Sequence, residues 1–498
     1  MSSEESSRPV VQLGVSRAII TPPVGIPLMG TLRDALSDDV QDDLTITALY
    51  LSNGATALAI AACDLIRVST PTADAVRTRV AAASTIPFGN IFLNASHTHA
   101  VPAPPDWYEY DGELDNSMRL AVERYYGLVE DQMVAAIVHA MTAAQPGRLG
   151  AGLGAVRIGV NRREFLPDGT AALGENPLGP LDPTVTVVRF DDMRGSPVAV
   201  LFHHACHPDV LGPKCRLISP DYVGAARRTV EAISGCPALF LQGAAGDIDP
   251  RCGIVNPPDG VDALVRLGSE LGCEVGRVYH TINTTRVRDR RVAWPGTLSA
   301  VTGWNYTDVA NRPVSTFSAG SRSFDMPLRE LPPLTEAERM LDEAERQLSE
   351  LESRSSMLSD RLRARRRVAW ARMQREAVRL LRPSQIQFEM GGFVLDDLAF
   401  IGCPAELFVE IGLRIKDASP VAVTMVSGYT NGCHFYVPTR AAFAEGGYEI
   451  ESHRNYLQPA GPTPDWEDIL TERAAGLLSD LLHGALHPTS VGSASPSS

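Results

Sequence analysis

Short apolar runs alternate along the chain with longer segments whose apolar residues recur every three or four positions. The short runs predict β-strands, several of them apolar on both faces, as is typical of strands in the middle of a sheet covered by helices. The longer segments predict helices. The predicted strands are 56–62, 90–95, 184–190, 197–203 and 238–242, and the predicted helices are 115–142, 221–234 and 260–282. This alternation predicts an α/β fold, with a layered mixed β-sheet core flanked by helices.

Residues 334–381 follow a different pattern, that of a charged helix punctuated by leucines. Thr335 and Glu338 have the spacing of a capping box at its start. The helix pauses at 355–356 and resumes through the arginines of 361–367, which predicts an inserted helical hairpin. We expect these arginines to form a solvated helix face, and a patch for an anion or a partner is the alternative. The sequence therefore predicts one α/β domain in two parts, 1–333 and 383–485, separated by a helical hairpin at 334–382. A disordered tail is predicted at 486–498.

The charge balance bears on the partners of the protein. Of 498 residues, 45 are Lys or Arg and 59 are Asp or Glu, so the net charge is −14. Because nucleic-acid-binding proteins usually have a basic face, we expect no nucleic-acid partner. Hydrophobic residues make up 44% and charged residues 21%, as is typical of a globular protein with a core.

Three features predict a cytoplasmic protein. No run approaches the roughly 18–20 uncharged apolar residues of a membrane span, so no stable membrane insertion is expected. The first residues, Met-Ser-Ser-Glu-Glu-Ser-Ser, contain two acids and no apolar core, unlike a secretory signal. The eight cysteines are scattered without CxxC pairs, which indicates reduced thiols.

Two groups of histidines follow predicted strands. His97 and His99 are two positions apart, so on an extended backbone both face the same way. His203, His204 and His207 lie within five residues. Imidazole is a common zinc ligand, so metal binding or catalysis is one interpretation. The other is that these are structural histidines held by hydrogen bonds, for instance to main-chain carbonyls.

Carboxylates and tyrosines supply further candidates. Asp247 and Asp249 lie in a loop of small residues after a predicted strand and suit a general base or a cation site. An Asx turn ahead of a proline is the alternative. Glu406 lies at a predicted helix start, where a carboxylate is also stabilised by the helix dipole. Tyr436 and Tyr448 would be ordinary packing residues if considered alone. Together these groups favour a metallohydrolase over a binding module.

Taken in order, these motifs resemble the neutral/alkaline, non-lysosomal ceramidase family, and its bacterial-type relatives more closely than the ceramidases proper. The similarity extends over about residues 12–455 and is weakest in the predicted hairpin. The matching segments are 14–23 (GVSRAIITPP), 96–99 (SHTH), 161–162 (NR), 182–184 (DPT), 207–208 (HP), 217–224 (LISPDYVG), 246–250 (GDIDP), 403–406 (CPAE), 436–439 (YVPT) and 448–449 (YE).

The resemblance implies a zinc site. Carried over position by position, the family's zinc ligands fall on His97, His207, Glu406 and Tyr436. Two imidazoles, a carboxylate and a phenol oxygen form a plausible zinc shell. Manganese or iron would tolerate similar ligands, so the metal itself is left open.

The chain departs from the family at one position that matters for chemistry. In the ceramidases a Gly-Asp-Val-Ser-Pro loop supplies a nucleophilic serine, and Asp249 stands there in this chain. Acyl-serine chemistry is therefore not implied, whereas a carboxylate beside zinc suits deprotonation of a metal-activated water. The chain also leaves too few residues after Tyr448 for the family's C-terminal β-sandwich domain, so a long sphingolipid substrate is not expected.

The resulting hypothesis is a zinc-dependent, amidase-like or esterase-like hydrolase of a small molecule. It would cleave an amide, ester or lactone bond by metal-activated water, with Asp249 as the base. The resemblance places His99, Arg162 and Tyr448 around the scissile carbonyl, where they would stabilise developing negative charge.

Other residues of the motifs receive supporting roles. Asp221 and Asp247 would brace loops, and His203 and His204 would orient the site. Two alternatives stay open: a hydrolase of the same fold acting on a non-acyl substrate such as a sugar derivative, and a non-catalytic zinc-binding descendant. The sequence also leaves a homo-oligomer open.

Overall fold

The computed structural model describes residues 7–28, 36–102, 104–105, 116–256, 258–294, 301–354, 356–382 and 384–486. The predicted tail at 486–498 falls outside these residues except for Leu486, as does residue 115, the predicted start of one helix. Within the described part of the chain, no helix is long and apolar enough to cross a membrane.

The strands, in chain order, are β1 (Ser7–Ile19), β2 (Asp39–Val40), β3 (Thr45–Ser52), β4 (Ala57–Cys63), β5 (Ile91–Ala95), β6 (Gln145–Ala155), β7 (Gly159–Phe165), β8 (Ala171–Asn176), β9 (Thr184–Asp192), β10 (Pro197–His204), β11 (Leu217–Ile218), β12 (Ala238–Gln242), β13 (Ile248–Pro250), β14 (Arg286–Trp294), β15 (Val301–Asp308), β16 (Ala310–Arg312), β17 (Phe317–Pro327), β18 (Gln385–Leu395), β19 (Leu398–Gly402), β20 (Glu406–Leu407), β21 (Val423–Ser427) and β22 (Tyr436–Val437). The α-helices are α1 (Thr70–Ala83), α2 (Asn116–Thr142), α3 (Tyr222–Ser234), α4 (Asp259–Tyr279), α5 (Leu334–Ser353), α6 (Leu358–Arg379), α7 (Val409–Ala418), α8 (Arg440–Glu445), α9 (Tyr448–Glu451) and α10 (Trp466–Leu482). The five predicted strands and three predicted helices correspond to β4, β5, β9, β10, β12, α2, α3 and α4.

Two large sheets form the centre of the fold. The first has nine strands in the order β12-β10-β9-β6-β1-β3-β4-β5, with β16 paired to β1. The second has four, in the order β17-β18-β19-β21. Both are mixed, since β1–β16, β4–β5, β10–β12 and β19–β21 are parallel pairs and the other pairs are antiparallel. This confirms the predicted α/β fold with a mixed-sheet core.

The two sheets pack face to face, and helices cover their outer faces. Alternate residues of a strand point to opposite sides, so each buried strand contributes to two cores. Along β4, Leu58 and Ile60 join a cluster that includes Phe400 of the second sheet, whereas Ala59 joins the cluster of α1 and α2. The rings of Phe92 on β5 and Phe400 lie 5.5 Å apart. Helices α3 and α4 cover the other half of the first sheet, and α7 and α10 cover the second.

Residues 334–353 and 358–379 form the two predicted helices, α5 and α6, which pack on each other through a small core of their own. The predicted capping box is wrong: α5 begins at Leu334, so Thr335 lies inside the helix and no side chain caps its start. The preceding proline, whose extended backbone sets the direction of entry, takes the cap position instead. Of the arginines in 361–367, Arg365 forms an ion pair with Glu352 of α5 (2.6 Å), whereas Arg366 donates to the Asn455 carbonyl (2.8 Å), so only part of this run is a solvated face.

A buried ion pair ties α1 to the second sheet. The Arg77 side chain is fully buried and donates from Nη1 and Nη2 to the two carboxylate oxygens of Glu389 on β18, both at 2.7 Å. The guanidinium also lies 3.8 Å from the ring centroid of Phe88. Burial would raise the pKa of Glu389, but Arg77 outweighs it and holds that pKa below its ordinary value. The pair therefore has both its hydrogen bonds and a balanced charge.

Candidate functional site

The site lies where strands of both sheets end. Gln242, the last residue of β12, donates from Nε2 to the carbonyl oxygens of Ser96 (3.0 Å) and Cys206 (2.7 Å). These carbonyls directly precede His97 and His207. Since β5 and β12 are the two edge strands of the nine-stranded sheet, this side chain joins both edges and brings the two histidines together.

Three histidines converge here. The ring nitrogens of His97, His99 and His207 that could bind a metal lie within 4.8 Å of one another. The Nδ1 atoms of His97 and His207 lie 2.6 Å from the carbonyl oxygens of Ile66 and Ala245, respectively. Nδ1 must donate its proton in such a contact, so the tautomer that carries only this proton presents the lone pair of Nε2 to the centre of the cluster.

Glu406 completes the cluster. Its Oε2 atom lies 3.3 Å from Nε2 of both His97 and His207, and all three side chains are buried. Ligands of a tetrahedral zinc ion with bonds of about 2.0–2.1 Å are themselves about 3.3 Å apart, so the donor set fits a metal ion. Burial would raise the pKa of Glu406, but His97 and His207 hold it well below its ordinary value.

The structure corrects the local setting of Glu406. It belongs to the short strand β20 and not to a helix start, since α7 begins three residues later at Val409. In β20 it pairs in parallel with Tyr436 of β22. Paired residues in neighbouring strands project to the same side, which places these two predicted ligands beside each other although they are far apart in the sequence.

The backbone at His97 is strained. Its φ angle is +69°, in the left-handed region that a residue with a Cβ atom rarely adopts. Such conformations persist only where the surroundings hold them and are common at functional sites. Here the main-chain N–H of His97 donates to the carbonyl of Leu65 (2.9 Å) and its ring is fixed by Ile66. The turn therefore aims the imidazole into the cluster.

Arg162 links the predicted base to the cluster region. Its Nη1 donates to Oδ1 of Asp249 (3.1 Å), its Nε donates to Oε1 of Glu449 (2.9 Å), and its Cζ lies 5.3 Å from the ring centroid of Tyr436. Burial would lower the pKa of Arg162, but Tyr436, Asp249 and Glu449 raise it well above the ordinary value. The Nη2 group is buried and has no hydrogen-bond partner among the described residues. A fixed positive charge with one unused donor thus lies at the site.

Tyr436 and Tyr448 occupy different positions relative to solvent. Tyr436 is buried, with burial and the nearby Glu406 raising its pKa well above the ordinary value. Tyr448 is 42% exposed, and its ring lies 5.8 Å from that of Tyr436. Tyr448 therefore borders the solvent side of the buried group, where an incoming molecule can reach it.

Asp247 and Asp221 have the predicted bracing contacts. Asp247 accepts from the main-chain N–H of Val409 (2.7 Å) and from Nδ2 of Asn161 (2.8 Å). Asp221 caps α3 and accepts from the N–H of Leu211 (3.1 Å). Both carboxylates hold main chain in place around the site.

His203 and His204 contact main-chain carbonyls. Nε2 of His203 lies 2.9 Å from the Val426 carbonyl, and Nδ1 of His204 lies 3.0 Å from the Thr184 carbonyl. These contacts support the structural interpretation of the pair, and a role in orienting the site stays a prediction.

The sequence analysis missed two tyrosines that contact Glu406. Tyr429 donates from its hydroxyl to Oε2 (3.2 Å), and its ring lies 4.3 Å from that of His97. Tyr456 donates from its hydroxyl to Oε1. Neither lies in a recognised motif, and no periodic pattern distinguishes a tyrosine at a site from one in a core. Gln242 was predicted as the end of a strand, but its contacts with the carbonyls before His97 and His207 were not.

Two buried histidines make the stability of the fold depend on pH in the acid range. Burial lowers the pKa of His203 and of His453 to about 3. These pKa values are lower in the folded protein than the ordinary 6.5, so their contribution to stability is complete above pH 6.5 and is lost as the pH falls towards 3. We expect the free energy of unfolding to fall by up to about 1.4 kcal/mol per pH unit for each histidine in that range.

Urea unfolding at pH 7, 6, 5 and 4 measures this slope. Nδ1 of His453 lies 3.1 Å from Nη2 of Arg329, a donor that a protonated ring would oppose. The His453→Gln variant should therefore lose its share of the slope, whereas the exposed His483→Gln should keep the wild-type slope. An unchanged slope in His453→Gln would contradict this assignment.

Comparisons with known proteins show similarity to neutral ceramidases in sequence and in fold. No protein-family model matches the chain. The neutral ceramidase of Pseudomonas aeruginosa is 23% identical over 383 residues, which cover 72% of this chain and 56% of that protein. Neutral ceramidase B of Dictyostelium discoideum is 27% identical over 176 residues, covering 32% of this chain and 24% of that protein. The crystal structure of the Pseudomonas aeruginosa neutral ceramidase superposes with a TM-score of 0.64 at 19% identity, covering 99% of this chain and 77% of that one.

The fold and the cluster thus define an α/β protein with a candidate metal centre at the ends of its strands. The chain is similar to neutral ceramidases in sequence and in fold, which confirms the resemblance predicted from its motifs. In sequence, the aligned region spans only about half the length of the Pseudomonas aeruginosa relative.

Proposed function

We propose that the protein is a zinc-dependent hydrolase that cleaves an amide, ester or lactone bond in a small-molecule substrate. The observation that carries the proposal is the convergence of His97, His207 and Glu406, with their metal-binding atoms 3.3 Å apart in the two measured pairs. Two imidazoles fixed by main-chain carbonyls, together with a carboxylate, match the chemistry of a divalent-metal site.

The donors that would hold zinc are His97, His207 and Glu406, with either Tyr436 or His99 as the fourth. The family resemblance favours Tyr436, which pairs with Glu406. The clustering of the three imidazoles favours His99. The two assignments predict different results, because His99→Ala lowers zinc affinity only if His99 is a ligand, and otherwise lowers turnover alone.

Zinc in this position would supply a positive charge that acidifies water and polarises a carbonyl oxygen. The remaining work falls to residues of the chain. Arg162 occupies Oδ1 of Asp249, so Oδ2 would accept a proton from the attacking water and then return it to the leaving nitrogen or oxygen. The bond between the carbonyl carbon and this leaving atom breaks, and the water oxygen remains on the acyl product.

Arg162 would also stabilise the charge that develops on the carbonyl oxygen. Its Nη2 is the buried donor without a hydrogen-bond partner among the described residues, and a preorganised donor of this kind stabilises an oxyanion without reorganisation. Its ion pairs with Asp249 and Glu449 hold the guanidinium in place. Tyr448, on the solvent side, would contact the substrate.

Metal content tests the proposal. We expect about one zinc ion per chain in protein purified without added metal, and loss of that zinc in His207→Ala, since the buried imidazole is a proposed ligand. Elemental mass spectrometry measures both. His139→Ala, on α2 and away from the cluster, is the control and should keep its zinc. A wild-type protein that binds no metal even when zinc is offered would overturn the proposal.

A panel of amides, esters, lactones and sugar derivatives then identifies the bond. Hydrolysis confined to the sugar derivatives would favour the non-acyl alternative. Zinc binding without turnover on any class would favour the non-catalytic one.

A further inference from the structure

The helical pair α5–α6 lies against the segment that follows α9. One face of α6 presents a polar side chain at every fourth position, and each donates to a main-chain carbonyl of that segment. These contacts are Arg366 Nε to Asn455 O (2.8 Å), Trp370 Nε1 to Gln458 O (2.8 Å) and Gln374 Nε2 to Pro459 O (2.9 Å). Three carbonyl oxygens of this segment thus accept hydrogen bonds from side chains of α6.

Packing reinforces these hydrogen bonds. Trp370 is 2% exposed, and its ring lies 5.9 Å from that of His453. Leu457 packs against the core shared by α5 and α6 and has a φ angle of +51°. A residue with a Cβ atom keeps this left-handed conformation only where its surroundings impose it. The helical pair thus fixes the turn immediately after Tyr456.

Tyr456 reaches from this turn into the site. Its hydroxyl donates to Oε1 of Glu406, and its ring lies 6.3 Å from that of Tyr436. The other carboxylate oxygen of Glu406, Oε2, faces the two histidines. A hydrogen bond to one oxygen of a ligating carboxylate fixes the direction in which the other points.

We propose that α5 and α6 act as a brace that holds Tyr456 against Glu406, and that Tyr456 is a positioning residue for this metal ligand. The proposal rests on the proposed zinc site, and it assigns a role to an element that the motifs left without one. Through the series of contacts Trp370–Gln458–Tyr456–Glu406, a helix outside the core controls how well the site binds its metal.

Zinc affinity of the Tyr456→Phe variant is the first test. This change removes the hydroxyl but keeps the ring. Loss of an outer-shell partner typically weakens metal affinity 10–100-fold, and we expect a weakening in that range in a competition titration with a chromophoric chelator. The melting temperature of the metal-free protein should change little. Tyr306→Phe, which alters a tyrosine that is 49% exposed on β15, is the matched control and should retain wild-type affinity.

A double-mutant cycle tests the brace itself. Trp370→Phe removes the donor to Gln458 and should weaken zinc binding in the wild-type background. In the Tyr456→Phe background it should add nothing, because the contact through which it acts is already gone. A purely structural role for Trp370 would instead weaken affinity equally in both backgrounds. Gln374→Leu provides the same cycle should Trp370→Phe fail to fold.

The outcomes separate this inference from the proposed function. If the wild type binds zinc, His207→Ala does not, and Tyr456→Phe binds as the wild type does, the positioning role is overturned while the zinc site stands. Additive effects in the cycle overturn the brace. If the wild type binds no zinc, the zinc site fails and the inference fails with it.

Discussion

Replacing Asp249 with asparagine is expected to lower kcat about 10²–10⁴-fold, the usual contribution of a general base, while the zinc content stays at the wild-type level. Asparagine has nearly the shape of aspartate but cannot take up a proton. The fold should tolerate the change, because Arg162 keeps its 2.9 Å contact with Glu449. The measurement is kcat on the best substrate of the panel, together with metal content.

The control for this prediction is Asp289→Asn, an exposed aspartate on β14, which should retain full activity. Wild-type turnover in Asp249→Asn would remove Asp249 from the mechanism. Loss of zinc in that variant would show instead that the carboxylate helps to hold the metal.

Replacing Arg77 with methionine should lower the free energy of unfolding by about 3 kcal/mol, at the lower end of the range for breaking a buried ion pair. Methionine fills part of the volume but leaves the Glu389 carboxylate, whose side chain is 23% exposed, without its partner. Equilibrium unfolding in urea measures the loss. Because Arg77 lowers the pKa of Glu389, its contribution to wild-type stability is present above about pH 4.5 and is lost as the pH falls below it. The Arg77→Met variant should lack that acid-dependent part.

Arg79→Met is the matched control on the same helix. Arg79 pairs with Asp131 at 2.7 Å, but the two side chains are 47% and 69% exposed, and exposed pairs contribute under about 1 kcal/mol. Equal losses in the two variants would show that α1 is sensitive to any substitution and that the buried pair has no special weight.

Local periodicity predicted five strands of the nine-stranded sheet and the helices α2 to α6, whereas other long elements such as β1, α1 and α10 were not predicted. The strand β12 and the helix α3 came from short-range patterns, because side-chain direction within one element depends only on its own dihedral angles. The predicted capping box is wrong because the helix begins at Leu334, two residues before the start that a cap at Thr335 requires, and Pro333 takes the cap position. The spacing of the motif alone does not detect where the helix begins.

The candidate site was likewise predictable from the sequence only in part. The sequence by itself identified residues whose types can bind a metal and predicted that His97 and His207 follow strand ends, since residue type and spacing are local properties. Only the tertiary structure decided that these ends meet, that Glu406 pairs with Tyr436 in a two-residue ladder, and that Tyr456 joins them. Such contacts depend on how two sheets and an inserted pair of helices pack, and packing between distant segments leaves no periodic signal along the chain.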